Sequence, residues 1–207
     1  MSKPELPKPK PTIILSWSGG IDSTSCLYQL VTAGERVLAH HIVLKHGGNT
    51  RWIQERRAVM ELQSWFWARR LEFDFVETQF DYGDLPDVAR DILVTGFVAG
   101  VIAQQYGSIQ RAVICSSLDD VQRQEGTNIQ VLRMALTEGL ALRKLEWIVP
   151  NAEKSKIQVM NELPHSLLKE CWYCRRPDSR GRPCGQCPTC EVVIPHLKRL
   201  FGADWDA

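Results

Sequence analysis

Short β-branched apolar runs alternate with longer helical stretches along most of this chain, and that alternation leaves few folds open. TIILSW (12–17), RVLAHHIVL (36–44), LEFDFVET (71–78), RAVICS (111–116) and LEWIVP (145–150) read as strands. The stretches between and after them carry helical spacing. In DSTSCLYQLVTAG (22–34), Cys26, Leu27, Leu30 and Val31 share one stripe, and in RWIQERRAVMELQSWFWARR (51–70), Ile53, Val59, Leu62 and Phe66 lie opposite the arginines. Further helices are expected over 87–107, 126–139 and 153–163. Strands that alternate with helices predict a doubly wound, Rossmann-like α/β fold, a five-stranded parallel sheet covered on both faces. No internal repeat is present.

The chain has 207 residues, enough to bury a core without disulfide help. Lys and Arg number 25 against 24 Asp and Glu, so bulk charge does not advertise direct contact with nucleic acid. No apolar run approaches a membrane span. The first eleven residues, MSKPELPKPKP, have lysines but no apolar stretch of the kind a secretory signal needs, and read as a disordered leader. Residues 12–165 are expected to form the α/β domain. Residues 166–207 form a distinct segment, rich in Cys, Pro, Gly and Arg, that ends in a short helix over 191–201. Seven cysteines in such a chain point to the cytoplasm and a metal.

The turn SGGIDST (18–24) lies where the first strand should hand over to the first helix. In doubly wound sheets ligands sit at the carboxyl ends of the strands. Gly19 and Gly20 let backbone amides approach an anion, Ser18, Ser23 and Thr24 add hydroxyls, and the helix start adds partial positive charge. The turn is therefore expected to cradle phosphates. It lacks the lysine of a Walker loop and the third glycine of a dinucleotide fingerprint. The plainer alternative is a glycine turn with Asp22 as the helix cap.

SGGIDST resembles the signature of the PP-loop, or N-type ATP pyrophosphatase, superfamily. That resemblance implies ATP held by Ser16, Ser18, Gly19, Gly20, Ile21, Asp22, Ser23 and Thr24, and cleaved between its α- and β-phosphates with Mg²⁺ linked to Asp22. The strand at His40 and His41 matches the place where such proteins contact adenine, which puts His41 among the nucleotide-binding candidates; a core histidine is the alternative.

The C-terminal segment CWYCRRPDSRGRPCGQCPTC holds five cysteines, Cys171, Cys174, Cys184, Cys187 and Cys190. Thiolates at this spacing, between Gly and Pro turns, suit a tetrahedral structural Zn²⁺; disulfides are the alternative. The segment is similar to the zinc tail of 7-cyano-7-deazaguanine synthases, and the resemblance selects Cys174, Cys184, Cys187 and Cys190 as ligands and leaves Cys171 out. The same family carries a T-K-x-E-I helix start where this chain has EKSKI (153–157). Lys154 matches the family lysine, a phosphate contact, and Lys156 stands where the family has Glu. Surface lysine is the alternative for both.

Two loops depart from the family. LKHGGNTRWIQERRA, after the second strand, keeps only Gly47, Arg51 and Glu55 of its tract, and SSLDDVQRQEG follows the fourth strand. Arg51, Asp119, Asp120 and Arg123 are the candidates there for the acceptor or Mg²⁺, with helix capping and solvated arginines as the plain reading. The resemblance implies a homodimeric ligase that adenylates a small carboxylate, takes free ammonia to give an amide and then a nitrile, and uses ATP, Mg²⁺ and Zn²⁺. Relatives in anti-phage systems widen the acceptor to a protein or another base. A zinc-ribbon nucleic-acid binder with a degenerate loop, served by Arg175, Arg176, Arg180 and Arg182, is the alternative of another class. Cys26 and Cys115 read as small buried residues, with sulfur transfer as a minor alternative for Cys115.

Overall fold

The computed structural model describes residues 10–85, 91–119 and 129–203. Its five strands are β1 (Ile13–Ser16), β2 (Val37–Lys45), β3 (Asp74–Asp81), β4 (Arg111–Val113) and β5 (Glu146–Ile148). The helices are α1 (Ile21–Thr32), α2 (Arg51–Ala68), α3 (Asp91–Gln105), α4 (Ile129–Ala141), α5 (Lys156–Glu162), α6 (His165–Leu168) and α7 (Pro188–Phe201). The sheet runs β3-β2-β1-β4-β5, and every pairing is parallel. This is the doubly wound sheet expected from the alternation. Strand order reverses between β1 and β4, so the crevice that receives ligands in such sheets opens beyond their carboxyl ends.

Alternate residues of β1 and β2 divide between two cores, as pleating requires. Ile13, Leu15, Val37 and Ala39 face α1, α2 and the C-terminal segment. Ile14, Leu38 and Ile42 face α3 and α4. Leu62 and Phe66 of α2 are fully buried on the first face, and each such side chain contributes roughly 1.5–3 kcal/mol. Trp17, just past β1, packs edge-on against Phe66, Phe73 and Phe75 at 6.2, 5.5 and 6.1 Å. Leu167, Leu168, Cys171, Val193 and Leu197 belong to the same buried cluster. The cysteine-rich segment is thus packed onto the sheet's first face.

α3 is apolar all round because it is wedged between the sheet and α4. A side chain at Gly100 would lie 2.6 Å from the Thr137 carbonyl oxygen and 2.7 Å from the Leu140 Cβ. Thr137 also donates its hydroxyl hydrogen to the Gly96 carbonyl at 3.0 Å. Gly100→Ala is therefore expected to cost about 1–3 kcal/mol by overpacking, read as a lower denaturant midpoint.

Among the boundaries that differ from the sequence expectation, three bear on the site. β3 starts at Asp74 because Leu71 still closes α2, its N–H donating to Phe66 O at 3.1 Å, and Arg70 takes φ 56° at that turn. α5 starts at Lys156, after a Ser155 cap, and not at Glu153. α7 starts at Pro188, so Cys190 stands in its first turn. Among the described residues no helix is long and apolar enough to cross a membrane.

Candidate functional site

The turn after β1 is a rigid loop. The Ser18 N–H donates to Ser23 Oγ (3.3 Å) and the Gly20 N–H to Ser18 Oγ (3.3 Å). Ser23 Oγ donates to the Gly20 carbonyl at 3.2 Å. Thr24 accepts the Trp17 indole N–H at 3.1 Å, so its hydroxyl braces the loop from behind. Gly19 takes φ 73°, and a Cβ there would meet Glu55 O and Val59 Cγ2 at 3.1 Å; only glycine suits both the backbone and the close approach of α2. From the other side the Trp172 N–H donates to Gly19 O at 3.0 Å, tying the cysteine-rich segment to the loop. Gly20 is the N-cap of α1 and supplies no side chain. The helix amides and their positive end therefore face a pocket lined by Ser18, Gly20, Ile21 and Asp22. Asp22 sits inside the first turn of α1 and is not its cap.

The rest of the pocket comes from three distant parts of the chain. α2 supplies Arg51 and Glu55, α5 supplies Lys156, and the C-terminal segment supplies Trp172, Tyr173, Cys174, Arg175 and Thr189. The Lys156 ammonium pairs with Asp22 Oδ2, and both side chains are largely buried. Arg51 binds Glu55 Oε1 through Nε (2.8 Å) and Nη2 (2.7 Å), and reaches Asp91 at 3.4 Å. Burial works against the Arg51 charge, but the two carboxylates overcome it and its pKa stands above the usual value. Burial pushes the Glu55 carboxyl up in spite of Arg51.

The predicted site residues separate into those the structure gathers and those it does not. Ser18, Gly20, Ile21, Asp22 and Arg51 line the pocket, with Gly19 and Ser23 shaping the loop behind them. Ser16 ends β1 with a buried hydroxyl, outside the pocket lining. The His41 imidazole is buried, its Nδ1 donating to the Trp17 carbonyl at 3.0 Å; burial holds its pKa below the ordinary value, and it does not line the pocket. His40 is likewise buried, its pKa lowered to about 4 by that burial.

Lys154 points elsewhere, onto Glu162 at 2.6 Å and Gln29 at 3.5 Å; the lysine that lines the pocket is Lys156. Asp119 Oδ2 accepts the Lys156 backbone N–H at 2.5 Å, fastening the loop after β4 to the start of α5. Asp120 and Arg123 lie outside the described residues. Cys115, behind the loop, faces the carbonyl of Ser16 at 4.0 Å and hydrogen-bonds Cys26, so it too is part of the packing under the site.

Sequence reasoning passed over Lys156 although a signal was there. SKIQ (155–158) fits a capping box, and Ser155 and Gln158 make both of its bonds. Read as such, it places the cap at Ser155 and the helix start at Lys156. Trp172, Tyr173 and Thr189 carried no signal, because only the tertiary fold brings their segment against the loop.

Cys174, Cys184, Cys187 and Cys190 converge, with their sulfurs within 4.8 Å of one another. The Cys184 and Cys190 sulfurs are 3.9 Å apart. Backbone N–H groups already point at the sulfurs: Cys184 to Cys174 Sγ at 3.2 Å, and Gln186 and Cys187 to Cys184 Sγ at 3.4 and 3.3 Å. Four sulfurs bonded to one tetrahedral ion at about 2.3 Å would stand about 3.8 Å apart, so the donor set fits a single ion. Cys171 is separate and buried, its thiol pushed up to about 12 by that burial and donating to the Leu167 carbonyl at 3.5 Å.

No family model and no curated protein matches the sequence. Solved structures do overlay on it. The U34-tRNA thiolase NcsA from Methanococcus maripaludis, a protein with a [4Fe-4S] cluster, matches at 15% identity and a TM-score of 0.52, covering 93% of this chain and 68% of its own. NMN synthetase from Francisella tularensis matches at 15% identity and a TM-score of 0.48, covering 93% of this chain and 77% of its own. A predicted subunit of tRNA methyltransferase from Methanocaldococcus jannaschii matches at 15% identity and 0.42, over 73% of each chain. At this identity the thiolase overlay speaks for the α/β fold, and the two below 0.5 add nothing to it.

Proposed function

We propose that this chain is an adenylating enzyme of the PP-loop kind, which cleaves ATP between the α- and β-phosphates and so activates a carboxylate for attack by ammonia. The observation that carries the reading is the loop at the sheet's switch point. An uncapped helix start, the Ser18 hydroxyl and an Asp22–Lys156 pair converge on one pocket, with the Ser23 hydroxyl bracing the loop behind them. Neutral small molecules have no use for that charge density; a triphosphate with a divalent cation does. When bound, Mg²⁺ would neutralise charge on the departing pyrophosphate. The chain's own part is to fix the β- and γ-phosphates with loop amides and hydroxyls and to present Asp22 toward the metal.

The acceptor carboxylate oxygen would form a bond to the α-phosphorus as the bridge to the β-phosphate breaks and pyrophosphate leaves. Ammonia then attacks the acyl carbon, AMP leaves with the transferred oxygen, and an amide remains. A second ATP activating that amide would yield a nitrile, as in the conversion of 7-carboxy-7-deazaguanine to 7-cyano-7-deazaguanine on the way to queuosine and related deazapurines. The zinc-tail resemblance supports this acceptor class. The four thiols fit one Zn²⁺, and a closed four-sulfur site leaves the metal a structural part, holding the pocket wall that bears Cys174.

Mass spectrometry after incubation with Mg-ATP, ammonium and an ¹⁸O-labelled 7-carboxy-7-deazapurine tests the reading. The expected result is one ¹⁸O in AMP and a product lighter by the masses for amide or nitrile formation. Unlabelled AMP together with unchanged carboxylate would remove this acceptor.

A further inference from the structure

Arg133, in the second turn of α4, is 6% exposed, and among the described residues no carboxylate pairs with it. Its Nη2 donates to the Val113 carbonyl at 3.3 Å, while its Nε is buried with no acceptor among the described residues. The Trp147 ring centre lies 5.8 Å from the guanidinium. Burial pulls the Arg133 pKa below its usual value, with the Cys115 thiol working the other way. The stem is held tightly: a Cβ on Gly96 of α3 would come within 2.8 Å of Arg133 Cγ. Arg143, just past the same helix, shows a structural arginine for comparison. It donates to the carbonyls of Ala103, Tyr106 and Ile109 and so closes the end of α3. Arg133 has one such carbonyl, and a buried charge without a counter-charge is strongly penalised.

Its place in the fold is that of a ligand contact. Val113 ends β4, and Cys115 faces the carbonyl of Ser16, the last residue of β1, at 4.0 Å. Arg133 therefore stands at the switch point, beside the strand that feeds the phosphate loop but outside the pocket lined by Arg51 and Lys156. Gln130 shares its helix face at a spacing of three. Its Nε2 donates to Ser116 Oγ at 3.3 Å, and its Oε1 is buried without a partner among the described residues.

We propose that Arg133 holds the carboxylate of the acceptor at the carboxyl end of β4. The proposal rests on the adenylating reading above. A planar guanidinium grips a carboxylate with two parallel hydrogen bonds, and Nε is already turned away from every other acceptor among the described residues. Arg51, the other guanidinium near the loop, is paired with Glu55. The carboxylate supplies the counter-charge that Arg133 lacks, so the empty site is the less stable one and occupancy removes the penalty. The Gln130 amide, short of one partner, serves a second polar group of the same ligand. Phosphates belong to the loop after β1 and the acceptor to the end of β4, which brings the two reactants together across the switch point.

The test uses the whole chain with Mg²⁺ and α,β-methylene-ATP. The acceptor probe is 7-carboxy-7-deazaguanine, and its uncharged counterpart 7-amido-7-deazaguanine is the control. Calorimetry should show Arg133→Met weakening the carboxylate on the order of 10- to 100-fold, the size of a lost hydrogen bond to a charged group. Affinity for the amide and for the nucleotide should stay nearly unchanged. Arg133→Lys should restore part of the loss, because it keeps the charge without the fork. Thermal melts separate this from a structural role. Without ligand, Arg133→Met should melt at or above the wild-type temperature, since it removes an unpaired buried charge, and the carboxylate should raise the melting temperature of wild type more than that of the variant. Unchanged carboxylate affinity in the variant, or a variant that melts well below wild type or fails to fold, would overturn the proposal. Wild-type protein that binds the nucleotide but not the carboxylate would overturn it as well. Wild-type protein that binds no nucleotide at all would overturn the functional reading itself.

Discussion

Asp22→Asn is expected to slow ATP turnover on the order of 100-fold or more while the fold stays intact, because it removes a charge aimed where pyrophosphate leaves. The side chain projects from the first turn of α1 into the pocket, and the hydrogen bonds that shape the loop run through Ser18, Gly20, Ser23 and Thr24. The amide has the same size, so packing is kept, but the buried Lys156 ammonium loses its counter-charge and some stability should go with it. With one negative charge fewer in the pocket, metal-free nucleotide should bind as well as before or better, while turnover and metal dependence collapse. Steady-state kinetics across Mg²⁺ concentrations, beside a thermal melt, check this. A drop in melting temperature that accounts for the lost activity would make Asp22 a structural residue.

The second large effect concerns the cysteines. Cys184→Ser is expected to abolish metal binding and to loosen the pocket wall, whereas Cys171→Ser keeps one Zn²⁺ per chain. Cys174, Cys187 and Cys190 are part of the buried cluster that holds α1, α2 and α7 together, and Trp172, two residues before Cys174, hydrogen-bonds the glycine loop at Gly19. Losing the ion should therefore lower stability and nucleotide affinity together. Metal analysis and visible absorption read the outcome. Iron with acid-labile sulfide would contradict the single-ion assignment. The thiolates of a four-iron cubane each bind a separate iron and stand further apart than four on one ion; here all four sulfurs lie within 4.8 Å.

These two features were legible in the sequence for different reasons. The glycine turn is local: seven consecutive residues at a strand-to-helix junction carry their own geometry, and the structure places that junction at the switch point. The cysteines are nearly local, three of them within seven residues, and their turns bring the sulfurs together before any long-range packing is needed. The pairing partners were not legible in the same way. Lys154 and Lys156 are two residues apart in one short segment, and which of them reaches the pocket depends on where α5 begins. The Ser155–Gln158 capping box decides that, and it sends Lys154 to Glu162.

Arg51 presents the same lesson in another form. Its position at the start of α2 puts it in the pocket lining, but its guanidinium is held by Glu55, a contact set by helical spacing of four and by burial. An acceptor carboxylate would have to compete with Glu55 for it. Asp119 was weighed as a substrate ligand or a helix cap. Its carboxylate accepts the first N–H of α5, a connection only the folded sheet creates.

The bond at which ATP is cut separates this account from its competitors most directly. Phosphorus NMR of the protein with Mg-ATP, ammonium and a competent carboxylate should show AMP and pyrophosphate appearing together in equal amounts, and both should appear on the order of 100-fold more slowly with Asp22→Asn. ADP and orthophosphate as the primary products would contradict it.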